Sequence, residues 1–157
     1  MKLAEALILR ADAQKRIQQL RERLNRSAKT QEGEQPPEDP QELLAELERV
    51  VTEFTGLVKR INRTNAQTTF DAERTLTDAL ADRDGLMYER SVLAAVIEAA
   101  TGTNQYARYG VYAGGDIKML RTVNVAEIQR RIDSLSRQYR ELDTAIQALN
   151  WQADVID

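Results

Sequence analysis

The chain has 157 residues, 42% of them hydrophobic and 30% charged, with a formal net charge of −3. That balance suits one helix-rich domain over residues 1–157 and excludes a disordered chain, and no run approaches the ~20 apolar residues of a helical membrane span. There is no cysteine and no histidine, which excludes disulfides, thiolate ligands, cysteine nucleophiles and imidazole bases.

The opening "MKLAEALILRADAQ" resembles a signal peptide only briefly. Glu5 interrupts its apolar part, Arg10 and Asp12 follow at once, and no small-residue cleavage site appears. The expected location is the cytoplasm. A first helix is expected over Lys2 to Ala28, with a stripe of Leu3, Leu7, Arg10, Ala13, Ile17, Leu20 and Leu24 at spacings of three and four. Residues 1–30 hold eight Lys/Arg against three Asp/Glu, and residues 31–58 hold one Arg against eight acids. Neighbouring antiparallel helices of opposite sign would attract each other. The other reading is a nucleic-acid arm on the basic first helix, although its cations point all around the helix rather than along one stripe.

Residues 29–39 ("KTQEGEQPPED" within "KTQEGEQPPEDP") form a flexible polar linker interrupted by Gly33, Pro36 and Pro37. Asp39 before Pro40 then supplies an N-cap followed by proline at the first helical position. The second helix carries Leu43, Leu47, Val50, Phe54, Leu57 and Ile61, widened by Leu44, Val51 and Val58. It frays at "INRTNAQTT", because Asn and Thr compete with helical hydrogen bonding. The cluster Asn62, Arg63, Thr64, Asn65 is read as capping neighbouring backbone, with ligand binding as the sharper alternative.

Thr75 with Asp78 has the spacing of a capping box. The third helix is expected to run to about Ala100 along Leu76, Leu80, Arg83, Met87, Arg90, Ala94 and Ile97. Asn124 with Glu127 starts the fourth, whose seam is the most regular in the chain: Val125, Ile128, Ile132, Leu135, Tyr139, Leu142, Ile146 and Leu149. That 3.5-residue repeat implies left-handed packing against neighbouring helices.

Between the third and fourth helices the pattern changes. "YARYGVYAGGDIKMLRTVNV" holds three of the five tyrosines and three of the seven glycines. Ile117, Met119, Arg121 and Val123 alternate with Lys118, Leu120 and Thr122, and "AGGD" supplies the positive-φ residues of a hairpin turn. A β-hairpin is expected over 105–123. A lone hairpin is marginal in water, so it packs on the end of the bundle, pairs with the hairpin of another copy, or serves as a ligand loop. Tyr106, Arg108, Tyr109, Tyr112, Ile117, Met119 and Arg121 are its candidate partner contacts.

Arg10, Arg83 and Arg90 fall on otherwise apolar stripes. An unpaired buried guanidinium would be very costly, so they form ion pairs with acids such as Glu5, Asp12 or Asp143, lie at a rim, or line an anion-binding pocket. Carboxylates at helical spacing, such as Asp78 and Asp82, read as a solvated face rather than a metal site, and the Glu-x-x-His pairs of di-iron bundles are missing. There is no Walker loop, no Gly-x-Ser-x-Gly and no Gly-x-Gly-x-x-Gly. No catalytic residue, metal or cofactor is assigned.

Three segments carry a resemblance: "KLAEALILRADAQKRIQQLRERL", "INRTNAQTTF…RTLTDALADRD" and "TVNVAEIQRRIDSLSRQYRELDTAIQALNW". Together they resemble the small bacterial and archaeal proteins called septicolysin-like, over nearly the whole chain. The resemblance implies no catalytic residue that could be carried over. The name implies a cytolysin, yet one tryptophan and the absence of cysteine and of long amphipathic β-segments give that activity little support.

The expected fold is therefore mainly α: an antiparallel four-helix bundle of long helices with a β-hairpin between the third and fourth. The expected function is that of a non-enzymatic helical scaffold that self-associates as a homo-oligomer. The alternatives are a nucleic-acid-binding module and a small anion binder.

Overall fold

A computed structural model describes residues 1–102 and 118–157. It is mainly helical. Among the described residues there are four helices: α1 (Leu3–Ser27), α2 (Pro40–Gln67), α3 (Leu76–Thr101) and α4 (Val125–Gln152). Their starts fall at the capping signals, whereas α2 does not fray at "INRTNAQTT" but continues as helix to Gln67, with Ile61 and Thr64 buried. Asp39 Oδ1 accepts a hydrogen bond from Gln41 N at 2.8 Å ahead of Pro40, and Asn124 Oδ1 accepts one from Glu127 N at 3.0 Å. At the first helix, Glu5 reaches back to accept from Lys2 N at 2.7 Å. Each of these satisfies one of the unpaired donors at a helix start.

The chain divides into two compact units, Met1–Thr77 with Gln147–Asp157, and Asp78–Ile146. In the first unit α1 and α2 form an antiparallel hairpin. Arg16 pairs with Glu53 at 3.3 Å and Arg23 with Glu46 at 3.7 Å. A step of seven residues forward on α1 thus matches seven backward on α2. The buried rows have the same period. Ala6, Ala13, Leu20 and Ser27 are buried on α1, and Leu43, Val50, Leu57 and Thr64 on α2. Ala13, Leu20, Leu43 and Val50 form one cluster, flanked by Ile17, Leu24, Leu47 and Phe54. Each fully buried Leu or Val contributes about 1.5–3 kcal/mol. The basic α1 and the acidic α2 attract as their charge blocks imply, and Arg23 also holds Glu38 of the intervening segment at 2.6 Å. That segment turns at Gly33, which has φ +83°, a conformation that favours glycine.

Two further structures complete this unit. The α2–α3 corner is closed by the bridge Thr69↔Thr75, by Leu76 N donating to Thr68 O at 2.8 Å, and by Phe70 N donating to Arg74 O at 2.9 Å. Asp71 Oδ1 accepts from the backbone of Glu73 and Arg74, while the Arg74 guanidinium binds Asp71 Oδ2 and lies 5.0 Å over the Phe70 ring. Residues 153–157 return along the start of α1. Leu3 N donates to Ala153 O and Val155 N to Met1 O, both at 2.9 Å.

In the second unit α3 and α4 are also antiparallel. Arg83 of α3 bonds Asp143 of α4, and further along α3 Glu89 bonds Arg131, which lies earlier on α4. The α4 seam is as expected: Leu135 and Ile146 are buried, and Ile128, Ile132, Tyr139 and Leu142 half-buried. The α3 seam differs. Leu86, Leu93, Val96 and Ile97 are half-buried, whereas Met87 and Ala94, expected on the seam, are exposed. This helix is apolar on several faces, so hydrophobic periodicity does not fix which one turns inward.

The inserted β-hairpin is not supported. Among the described residues the only β pairing is two isolated bridges, Lys2↔Asp154 and Thr69↔Thr75. Residues 118–123, assigned to the second strand, have no regular structure. Their alternation offers no buried face, since Met119 and Leu120 are exposed at 73% and 81% on what would be opposite sides. An alternating pattern without cover on one side does not stabilise a strand. The rest of the expected hairpin lies outside the described residues.

Candidate functional site

The stripe arginines are divided between the two units. Arg83 is committed within the second unit. Its Nη1 donates to Asp143 Oδ1 at 2.9 Å, and its Nη2 to Asp84 Oδ1 at 3.1 Å. Burial acts to lower its pKa, and these two carboxylates outweigh that and raise it. Arg90, seven residues on, is exposed, and Arg10 is half-buried on α1 in the first unit. The ion-pair reading thus describes Arg83 and names its partner, Asp143.

Of the polar cluster, Asn62 and Arg63 are exposed and Asn65 is half-buried. The buried member is Thr64, at 0% exposure. Its Oγ1 donates to Arg60 O at 2.8 Å and accepts from Ile156 N at 3.0 Å. Thr64 therefore fastens the chain after α4 to the end of α2. Arg60 and Lys2 add ion pairs to the same segment: Arg60 with Asp157 at 2.5 Å, Lys2 with Asp154 at 2.9 Å. Lys2 holds the Asp154 carboxyl below the usual carboxylate range. The signal in the sequence was the heptad row Leu43, Val50, Leu57, Thr64, in which threonine takes the place of an aliphatic residue.

Of the expected partner contacts, Tyr106, Arg108, Tyr109, Tyr112 and Ile117 lie outside the described residues. Met119 is exposed. Arg121 Nε donates to Ala100 O at 3.0 Å, satisfying one of the carbonyls left free at the end of α3.

The surface that sequence reasoning missed is on α3. Tyr88 and Val92 are exposed at 75% and 63%, and Met87 at 47%. The signal was the segment "GLMYERSVLAAVIEAA", whose only polar side chains are Glu89, Arg90, Ser91 and Glu98, apart from the Tyr88 hydroxyl. A helix so apolar around its circumference is ordinarily covered on more than one side.

Chemically, the described residues offer ion pairs and apolar helix faces. Among them no three carboxylates converge as a metal site, and no helix is long and apolar enough to cross a membrane.

These features define a mainly α protein built from helical hairpins. The chain belongs to the family described as "Family of unknown function (DUF6847)", which matches residues 10–155. It is also similar to a crystal structure described as that of a functionally unknown conserved protein from Corynebacterium diphtheriae. The two are 42% identical, with a TM-score of 0.87 over 99% of each chain. No curated protein matches.

Proposed function

We propose that this protein is a non-enzymatic helical interaction protein of the cytoplasm that assembles with copies of itself. The observation that carries the proposal is the exposure of Tyr88 and Val92, one turn apart on the outer side of a helix that already packs by its other side against α4. Large apolar side chains exposed together on one face mark an interaction surface. The four helices would form an antiparallel bundle in each copy, and the relation to septicolysin-like proteins, supported by the three quoted segments, belongs to the same proposal.

The anion-binding reading draws no support from Arg83, whose donors are engaged by Asp84 and Asp143. The nucleic-acid reading loses Arg16 and Arg23 to Glu53 and Glu38. Light scattering on the eluting chain tests the proposal. A mass of two or more chains is expected, and a single-chain mass at every concentration would reject it.

A further inference from the structure

We infer that α3 pairs with the α3 of a second copy, antiparallel, about a two-fold axis beside residue 90. This rests on the self-association proposed above and names its contact surface. Ala81, Gly85, Tyr88, Val92, Ala95 and Ala99 follow one another at spacings of four and three, and all six are exposed. Such spacing places them on a single helical stripe. The stripe lies on the side of α3 away from half-buried Leu86, Leu93 and Ile97.

The row is symmetric about residue 90. Positions 81 and 99, 85 and 95, and 88 and 92 are each equidistant from it. A two-fold contact requires that residue i meet residue j of the other copy while j meets i. Antiparallel α3 helices meet that condition with Tyr88 against Val92 of the second copy, Gly85 against Ala95, and Ala81 against Ala99. The central pairs supply the apolar area, and the Tyr88 hydroxyl can stay wet at the rim. The small outer pairs let the two backbones come close.

Gly85 gives a separate reason. Glycine weakens a helix interior, and a Cβ added here would meet nothing within 4 Å. Nothing in the packing of the described residues calls for glycine at this position. A second helix lying across it does.

The absence of natural cysteine permits a direct test of register. Gly85→Cys and Ala95→Cys chains are purified separately, then mixed, allowed to exchange subunits and oxidised mildly. The mixture is expected to form disulfide-linked pairs, and each variant alone is not. Like positions in the proposed pair are ten residues apart, about 15 Å along the axis, beyond the ~7 Å Cα separation a disulfide spans. A second variant, Tyr88→Lys with Val92→Lys, should keep its helical circular dichroism and weaken the dimer on the order of thirtyfold or more. Efficient self-linking of either cysteine variant would mean a parallel pair and overturn the inference. An unlinked mixture of two-chain mass would place the contact elsewhere, overturning the inference while leaving self-association intact. Single-chain mass for the unmodified protein would remove both.

Discussion

Replacing Thr64 by valine is the sharpest test of how the segment after α4 is held. Valine keeps the shape of threonine and removes only the hydroxyl. Thr64 is fully buried, and Oγ1 sits 3.0 Å from the Ile156 amide that donates to it. Its own proton goes to Arg60 O at 2.8 Å, the i−4 carbonyl of the same helix, so that half of the loss costs little. The Ile156 amide is left half-buried without its acceptor, at about 1–2 kcal/mol. For a protein of this length, that lowers Tm by about 2–8 °C. Thr64→Ser should keep the hydrogen bond and lose only a methyl group, about 1 kcal/mol. Thermal unfolding ranks the variants, and amide exchange at Ile156 provides a separate readout that should accelerate in the valine protein alone. A Thr64→Val protein as stable as the parent, with Ile156 exchange unchanged, would refute the reasoning.

The remaining expectations concern other buried or charged groups. Ser27 continues the buried α1 row, yet its Oγ has no hydrogen-bond partner among the described residues. Ser27→Ala should therefore stabilise by about 0.5–1 kcal/mol, read as a higher urea midpoint; destabilisation would show that the hydroxyl has a partner. Asp143→Asn should weaken the α3–α4 pair by a few tenths to about 1 kcal/mol, with a smaller loss in high salt because screening already reduces the attraction. The carboxylates of Glu38, Asp71 and Asp154 sit below their ordinary values, through Arg23, Arg74 and Lys2 respectively. Each contributes stability fully above its unfolded value, 4.5 for Glu38 and 3.8 for the two aspartates. Below that the unfolded chain takes up the proton first, and the stability is lost as pH falls through the lower folded value. Asp71→Asn should flatten part of this acid limb, and an unchanged limb would dissociate the pair from folding.

Several elements were legible in the sequence because one physical signal dominated. The α4 seam keeps a single apolar row, so its phase could be read directly. The opposed charges of residues 1–30 and 31–58 foretold the α1–α2 pairing, now seen in Arg16–Glu53 and Arg23–Glu46. On α3 the signal was ambiguous: with Leu86, Met87, Val92, Leu93 and Ala94 around the circumference, more than one stripe satisfies the helical period. Arg83, on the apolar row by its spacing, pairs with Asp143 of α4. Residues 118–123 misled because alternation records only the backbone's option of a strand; cover for one face depends on what surrounds the segment. Thr64 was hidden because its acceptor role depends on Ile156, 92 residues away.

Sedimentation equilibrium of the unmodified chain tests the central claim most directly. The weight-average mass is expected to rise with concentration from 17.8 kDa toward at least twice that value. A mass that stays at that of one chain up to the highest soluble concentration would contradict it.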